Sequence, residues 1–391
     1  MPIINRIADY KDELTAWRRH LHMNPELAYE EVETAAFVTE RLRAIGVDEV
    51  HEGIGKTGVV AVIKAGKGER RIGLRADMDA LSITEASGVA HASTRPGKMH
   101  ACGHDGHTTM LLGAAKYLAE TRNFDGTVYL VFQPAEEGRA GAKAMMDDGL
   151  FERFPVSDIY GLHNWPAMPV GTFAMCAGPA MAASDEFKIT IKGRGCHAAM
   201  PHVGLDPVTV AAQIVIGLQT IVSRETDPLD NAVLSVTQIH AGDAFNVVPE
   251  QAVLAGTVRT FKAPTRDRIE QRMREVATGI TQSFGLEAVF HYRRGYPPTV
   301  NHAREAAIGA DVAALVVGTD KVERAPAPVM GAEDFAFMLE AVPGSYIWMG
   351  SGDGETSALL HSPSYDFNDE ALPIGVSYWA KLVETRLAKA A

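Results

Sequence analysis

In the segment IGLRADMDAL, residues 72–81, an apolar run ends directly at acidic residues. Similar apolar runs occupy residues 127–132 and 159–162, and a helical spacing of apolar residues at 108–120 separates the first run from the second. Short apolar runs bounded by glycine and charge are typical of buried strands. Strands that alternate with helices favour a largely parallel, helix-covered sheet, so we predict an α/β fold.

The segment MHACGHDGHT, residues 99–108, carries a thiol, three imidazoles and a carboxylate. These side chains bind borderline metals such as zinc, cobalt, nickel or manganese. Only Gly103 separates Cys102 from His104, so a bent loop can direct both side chains at one ion. Taken alone, the segment also fits solvated histidines at a helix N-terminus or a lone reactive thiol. The metal interpretation therefore depends on ligands from elsewhere in the chain.

Acidic or imidazole side chains follow three of the predicted strands. Asp77 follows the first, Glu136 and Glu137 follow the second, and His163 follows the third. In open α/β sheets, the carboxyl ends of the strands line the ligand crevice. We therefore expect these groups at the same edge of the sheet as the thiol and imidazoles of residues 99–108.

A hydrolase that uses two metal ions needs several ligands and a base for the attacking water. The candidate ligands are Cys102, His104, Glu137, His163 and His361. Five ligands can serve two ions if one of them bridges, and a thiolate or a carboxylate bridges well. The adjacent Glu136 and Glu137 favour a division of roles between metal ligand and general base. Asp77 and Asp79 are suited to holding a ligand imidazole by its second N–H.

The composition excludes some classes of function. The 391 residues are 46% hydrophobic with a formal net charge of -12, which is typical of a globular protein of two or three domains. The negative charge argues against nucleic acid as a partner. Three cysteines without framework spacing indicate reduced thiols. Because neither a signal-peptide pattern nor a membrane-length apolar run is evident, we predict a cytoplasmic protein without a membrane partner.

The pattern changes near Ser184. Residues 184–296 follow the order βαββαβ, which gives an antiparallel sheet with two helices on one face. The α/β pattern then resumes. We therefore predict a catalytic α/β domain of residues 1–183 and 297–391, interrupted by a ferredoxin-like module of residues 184–296.

Several motifs along the chain are similar to those of one enzyme family. They are LRADMDAL (74–81), HACGHDGHT (100–108), FQPAEEG (132–138), GLH (161–163), GCHAAMPH (195–202), FNVVP (245–249), GTVR (256–259), GAEDF (331–335) and LH (360–361). Together they resemble the metal-dependent aminoacylase/carboxypeptidase family of amidohydrolases. The similarity is greatest to the branch of hippurate hydrolase, N-acyl-L-amino-acid amidohydrolases and plant auxin-conjugate hydrolases.

The resemblance implies a catalytic centre with two divalent ions, which could be zinc, manganese, nickel or cobalt. The implied ligands are Cys102, His104, Glu137, His163 and His361, with Cys102 as the bridge. The resemblance also implies Glu136 as the catalytic base and acid, with Asp79 supporting it.

In the family, the inserted module is a lid and dimerisation domain, which implies a homodimer or homotetramer here. The resemblance places His197 at the oxyanion, in relatives that of the partner subunit, and it places Asn246 and Arg259 at the substrate carboxylate. Arginine can grip a carboxylate through paired N–H groups. Cys196 departs from the smaller or hydroxyl residue that is more usual before the histidine, and it leaves His197 in place.

We predict hydrolysis of the amide bond of N-acyl amino acids to a carboxylic acid and a free amino acid. The alternatives within the family are a dipeptidase or a dedicated deacetylase of the N-acetyl-diaminopimelate type. A two-metal phosphoesterase would favour oxygen-rich ligands and more basic clamps. A metal-dependent binding protein with a vestigial site is the non-enzyme alternative, and the retention of Glu136 beside five candidate ligands weighs against it.

For some other residues we predict supporting roles. His20 and His22, near the end of the first helix, are interpreted as solvated or capping residues. His100 and His107 are expected to orient the loop rather than bind metal. Trp165 is interpreted as a packing residue.

Overall fold

The computed structural model describes residues 4–352 and 357–389, which form two compact units. The first unit contains Met1–Ala180, Val300–Ala327 and Asp334–Ala391. The second contains Met181–Thr299 and Pro328–Glu333. The insertion predicted for residues 184–296 lies within the second unit.

The strands are short and mostly buried in the first unit and more exposed in the second. In chain order they are β1 (Glu49–Ile54), β2 (Gly58–Ala65), β3 (Arg71–Asp77), β4 (Gly126–Gln133), β5 (Asp158–Pro169), β6 (Phe173–Ala174), β7 (Gly178–Met181), β8 (Ala183–Lys192), β9 (Cys196–His197), β10 (Ala232–Ala241), β11 (Val247–Val248), β12 (Gln251–Thr260), β13 (Glu287–Arg294), β14 (Thr299–Asn301), β15 (Val322–Glu323) and β16 (Gly344–Gly352).

The helices range from single turns to one of 21 residues. In chain order they are α1 (Asn5–Ala8), α2 (Lys11–Met23), α3 (Val32–Ile45), α4 (His104–Thr121), α5 (Glu136–Arg139), α6 (Gly141–Asp147), α7 (Leu150–Arg153), α8 (Pro207–Thr220), α9 (Ala263–Ser283), α10 (Ala303–Val317), α11 (Phe335–Ala341) and α12 (Leu372–Arg386). The segment α5 is irregular, because Glu137 and Gly138 have non-helical backbone angles.

The first unit contains an 8-stranded mixed sheet in the order β1-β2-β4-β3-β5-β16-β6-β15. Neighbouring strands from β4 to β16 are parallel. The β1–β2, β2–β4 and β16–β6 pairs are antiparallel. The prediction of a largely parallel sheet is therefore wrong for these three pairs, whereas the β15–β6 pair at one edge is parallel. For β1 and β2 the reason is their short connection, since a connection of this length joins only antiparallel strands.

Close helix packing covers one face of this sheet. Side chains of α4, including Met110 and Leu111, share a core with Leu74 of β3 and Val376 of α12. Gly375 allows α12 to approach α4, because a Cβ at this position would lie 2.0 Å from Sδ of Met110. The contact depends on the absence of a side chain.

The second unit has the predicted element order βαββαβ, formed by β8, α8, β10, β12, α9 and β13. Its antiparallel sheet has the strand order β10-β12-β8-β13. Buried residues such as Ile214 of α8 and Met273 of α9 share a core with Ile189 of β8 and Leu254 of β12. The two helices therefore pack on the sheet through an apolar layer.

One stretch of the described residues, Pro207–Glu225, is long and apolar enough to cross a membrane by length and composition. One such helix is weak evidence of a membrane span, because the core helix of a folded protein passes the same test. Val210, Ile214 and Leu218 of this stretch are buried in the core of the second unit. We therefore interpret it as the core helix of a folded unit.

Candidate metal centre

The parallel strands deliver their polar residues to one edge of the first unit's sheet. Asp77 is the last residue of β3, and Glu136 follows the end of β4 after a short turn. His163 does not follow its strand as predicted, because β5 continues to Pro169. The pairing of β5 with β3 ends at Arg75↔Gly161. His163 and Asp77 each lie two residues beyond this pair, so they lie beside each other.

A glycine turn brings Cys102 and His104 together. Helix α4 begins at His104 rather than at the predicted Thr108. Gly103 has a left-handed φ of 97°, and a Cβ there would lie 2.2 Å from Oδ1 of Asn164. Both the backbone angle and the space therefore require glycine.

The five predicted ligands lie in overlapping groups of three residues. Within each group, the ligating atoms are all within 4.8 Å of one another. The groups are Cys102 with His104 and His163, Cys102 with Glu137 and His361, and His104 with Glu136 and Glu137. Cys102 belongs to the first two groups, and its Sγ lies 3.4 Å from Nε2 of His163. This arrangement suits one thiolate shared by two ions.

The polar atoms that face the cluster have the chemistry of metal ligands. Nδ1 of His104 donates to the Asp79 backbone oxygen at 2.9 Å, and Nδ1 of His163 donates to the Asn164 backbone oxygen at 2.7 Å. These bonds leave each Nε2 lone pair directed into the site. Among the described residues, Nε2 of His104 is buried without a hydrogen-bond partner. A sulfur, imidazole and carboxylate set with such an atom fits divalent ions of the zinc type.

The protein environment alone does not favour a thiolate at Cys102. Burial and the negative charge of Glu137 raise the pKa of the Cys102 thiol. Hydrogen bonds to Cys102 and Glu137 raise the pKa of His361 to about 10. His361 lies opposite Glu137, with its Nε2 3.2 Å from Oε1. Positive charge between these groups would favour the thiolate, as a coordinated metal does.

A buried carboxylate, Asp77, stands behind the cluster. It accepts hydrogen bonds from Arg75 and from Nδ1 of His107, each at 2.6 Å. Burial opposes its ionisation, yet the neighbouring His104, Arg75 and His107 hold the pKa of Asp77 well below its usual range. Nε2 of His107 accepts from the backbone N–H of Asn164 at 2.9 Å. His107 therefore joins the loop to two strands, in agreement with the orienting role predicted for it.

Two carboxylates fix the turn that presents Glu136. The oxygens of Asp79 accept the backbone N–H groups of Glu136 and Glu137, each at 3.0 Å. Oε1 of Glu31 accepts the N–H of Ala135 at 2.8 Å, and Ala135 has a left-handed φ of 55°. Asp79 thus supports Glu136 through the backbone. Glu31 was not predicted from the sequence, where its only signal is a charged residue just before α3.

The predicted solvated or capping role of His22 is wrong. His22 is fully buried, and its Nδ1 lies 2.8 Å from Oδ2 of Asp105 in α4. Arg18, one helical turn earlier, is also buried and approaches Asp105. Both residues share the face of α2 that packs against α4, so ion pairing replaces solvation. The signal for this role was their spacing beside the apolar residues Leu14 and Leu21.

The second unit brings together two of the three residues predicted to contact substrate. His197 of β9 pairs with Val247 of β11. The backbone oxygen of Asn246 accepts the N–H of Ala198 at 2.9 Å, so Asn246 is adjacent to His197. Arg259 lies on β12, where its guanidinium donates to the Val258 backbone oxygen at 3.0 Å and also contacts Thr257.

Comparison with known proteins identifies the family. The family model described as Peptidase family M20/M25/M40 matches residues 73–385. The chain belongs to this family. This M20 chain is 41% identical over 382 residues to hippurate hydrolase of Campylobacter jejuni, with 98% of each chain covered. It is 41% identical over 374 residues to N-acetylcysteine deacetylase of Bacillus subtilis, with 95% of this chain and 96% of the relative covered.

A solved relative bears on the metal content of this M20 chain. The crystal structure of a Bacillus subtilis protein, described as a dinuclear metal-binding peptidase from the M20 family, matches with a TM-score of 0.84 and 37% identity. The match covers 97% of this chain and 99% of that one. The family predicted from the sequence motifs is confirmed. The solved relative and the clusters around Cys102 together support two divalent ions.

Proposed function

We propose that this protein is an amidohydrolase that cleaves N-acyl amino acids into a carboxylic acid and a free amino acid. The observation that carries the proposal is the overlap of two candidate ligand groups at Cys102, with Glu136 against the same cluster. Relatives named hippurate hydrolase, N-acetylcysteine deacetylase and N-acetyldiaminopimelate deacetylase support this reaction class.

We propose that the five clustered residues hold the two ions, with Cys102 between them. Cys102, His104 and His163 form one group, and Cys102, Glu137 and His361 form the other. The thiolate favours a thiophilic ion, and zinc, manganese, nickel and cobalt remain the candidates. When bound, the two ions would polarise the amide carbonyl and lower the pKa of water.

Glu136 is proposed to move the proton. Its carboxylate accepts a proton from the attacking water and then donates it to the leaving nitrogen as the C–N bond breaks. Asp79 keeps the carboxylate in position by holding the backbone N–H of Glu136. Because Asp79 binds the N–H of Glu137 with its other oxygen, a single side chain orients both glutamates.

The second unit is proposed to complete substrate binding, as the family resemblance implies. His197 would stabilise the oxyanion, and Asn246 and Arg259 would bind the substrate carboxylate. We propose that the ferredoxin-like module acts as a lid and a dimerisation domain, and that the protein is a cytoplasmic homodimer or homotetramer. Sedimentation velocity on the full chain tests the oligomeric state.

The proposed function is tested with a panel of N-acetyl and N-benzoyl amino acids, a set of dipeptides and N-acetyl-diaminopimelate. Hydrolysis of the N-acyl amino acids, lost with chelator and restored by metal, is the expected result. A clear preference for dipeptides or for N-acetyl-diaminopimelate would select the corresponding alternative. Inactivity on the whole panel with the metal fully loaded would refute the proposal.

A further inference from the structure

Two indoles stand beside the candidate ligand His163 on one face of the first unit's sheet. His163 and Trp165 are alternate residues of β5, so their side chains share a face. Trp348 of β16 is the register partner of His163 and therefore lies on that face as well. The ring centroids of Trp165 and Trp348 are 5.0 Å apart, and those of His163 and Trp165 are 6.4 Å apart. The indole pair thus adjoins the metal cluster directly.

The pair lies on the opposite face from the main core. Leu162 of β5 and its neighbours Ile347 and Met349 of β16 belong to the large apolar core of the first unit. Their side chains alternate with those of the two tryptophans, which consequently point away from that core. A role in packing this core therefore does not account for the pair.

The two indoles differ in exposure. Trp348 is 5% exposed, and its Nε1 has no hydrogen-bond partner among the described residues. A buried indole N–H usually has a partner. Trp165 is only partly buried and keeps accessible surface. Trp348 thus packs behind Trp165 as a buried ring, while Trp165 keeps accessible ring surface beside the candidate ligand His163.

We propose that Trp165, backed by Trp348, binds an aromatic ring of the substrate's acyl group, so that aroyl amino acids are preferred to acetyl amino acids. This inference rests on the proposed function, because it assigns the acyl pocket of that reaction. In an aroyl amide the ring is bonded directly to the reacting carbonyl carbon. The ring must therefore lie close to the metal ligands, where Trp165 stands. Offset and edge-to-face aromatic contacts act over the centroid distances seen here.

The test compares kcat/KM for N-benzoylglycine and N-acetylglycine with the full metal-loaded chain. Trp165→Leu should lower the benzoyl-to-acetyl ratio by about tenfold, because the variant loses the aromatic face. Trp165→Phe keeps an aromatic face and should stay within about threefold of the wild-type ratio. Trp17→Leu removes a buried indole from α2 and should leave the ratio unchanged. An unchanged ratio in Trp165→Leu, or an equal change in Trp17→Leu, overturns the inference.

A binding measurement separates this inference from the proposed function. Benzoate should quench the indole fluorescence of the wild type at concentrations where acetate does not, and Trp165→Leu should lose this response. Trp165→Met replaces the leucine variant if that variant does not fold. If the metal-loaded wild type hydrolyses no member of the substrate panel, the proposed function fails, and benzoate binding alone then decides the inference. Absence of quenching by benzoate in the wild type would overturn it.

Discussion

At the residue scale, some atoms of the candidate site face the ligand cluster, and other atoms hold these side chains in position. Nε2 of His104 and Nε2 of His163 point inward because each Nδ1 is bound to a backbone oxygen. Glu136 and Glu137 are adjacent in sequence, yet they are proposed to have different roles. The backbone at Glu137 is non-helical, and a carboxylate oxygen of each glutamate lies within 4.8 Å of the other in the group that includes His104.

Glu136→Gln should keep the metal and lose the reaction. The amide has nearly the same shape as the carboxylate but cannot accept the proton, and general acid–base groups contribute about 10²–10⁴ in rate. We expect turnover to fall by at least about 100-fold with unchanged metal content, measured by steady-state assay and elemental analysis. Turnover near the wild-type value would show that Glu136 is not the base.

At the element scale, the turn between β4 and α6 depends on carboxylates that come from other parts of the chain. Glu31 holds Ala135, and Asp79 holds the two residues that follow. The sequence indicated Asp79 because it lies two residues after Asp77 at the end of a strand. It did not indicate Glu31, because hydrogen bonds across 104 residues of sequence leave no periodic pattern.

Glu31 should make stability depend on pH. Burial raises the pKa of Glu31 to about 7 from an ordinary value of 4.5. The folded state therefore binds the proton more tightly, and this contribution to stability is lost as the pH rises through 7. Between pH 5 and pH 8, the wild type should lose about 2–3 kcal/mol of unfolding free energy relative to Glu31→Gln. Urea unfolding at both pH values measures this difference, and parallel behaviour of the two proteins would contradict the assignment.

Gly375→Ala should destabilise the contact between α4 and α12. Alanine normally favours a helix over glycine by about 1 kcal/mol, but here the new methyl group would clash with Met110. We expect a net loss of about 1–3 kcal/mol in thermal or urea unfolding. Gly279→Ala in α9 is the matched control, because a Cβ there meets nothing within 4 Å. The control should be neutral or stabilising, and equal effects of the two substitutions would contradict this packing argument.

At the scale of the whole molecule, the sequence predicted the residues of the candidate site better than the strands at the edges of the sheet. Polar residues after buried strands predicted which groups meet, because the carboxyl ends of parallel strands share one edge. The short strands β6 and β15 were not predicted, since two-residue strands have no periodicity. The spacing of His22 beside Leu14 and Leu21 indicated the buried face of α2, but its partner Asp105 lies in a distant helix and could not be predicted from this spacing.

We expect catalysis to depend on two ions per chain. Cys102 is the residue shared by both candidate groups, so its loss should affect both ions. Cys176 lies outside these groups, which makes Cys176→Ala the matched control for Cys102→Ala. The control should bind metal like the wild type, whereas Cys102→Ala should bind it weakly or not at all.

The most direct test is a titration of metal-stripped protein with a divalent ion while N-acyl amino acid hydrolysis and bound metal are followed together. We expect no hydrolysis without metal, full activity at about two ions per chain, and loss of both signals in Cys102→Ala. Full hydrolysis by the stripped protein, or by Cys102→Ala without bound metal, would show that the reaction does not need the two-ion site.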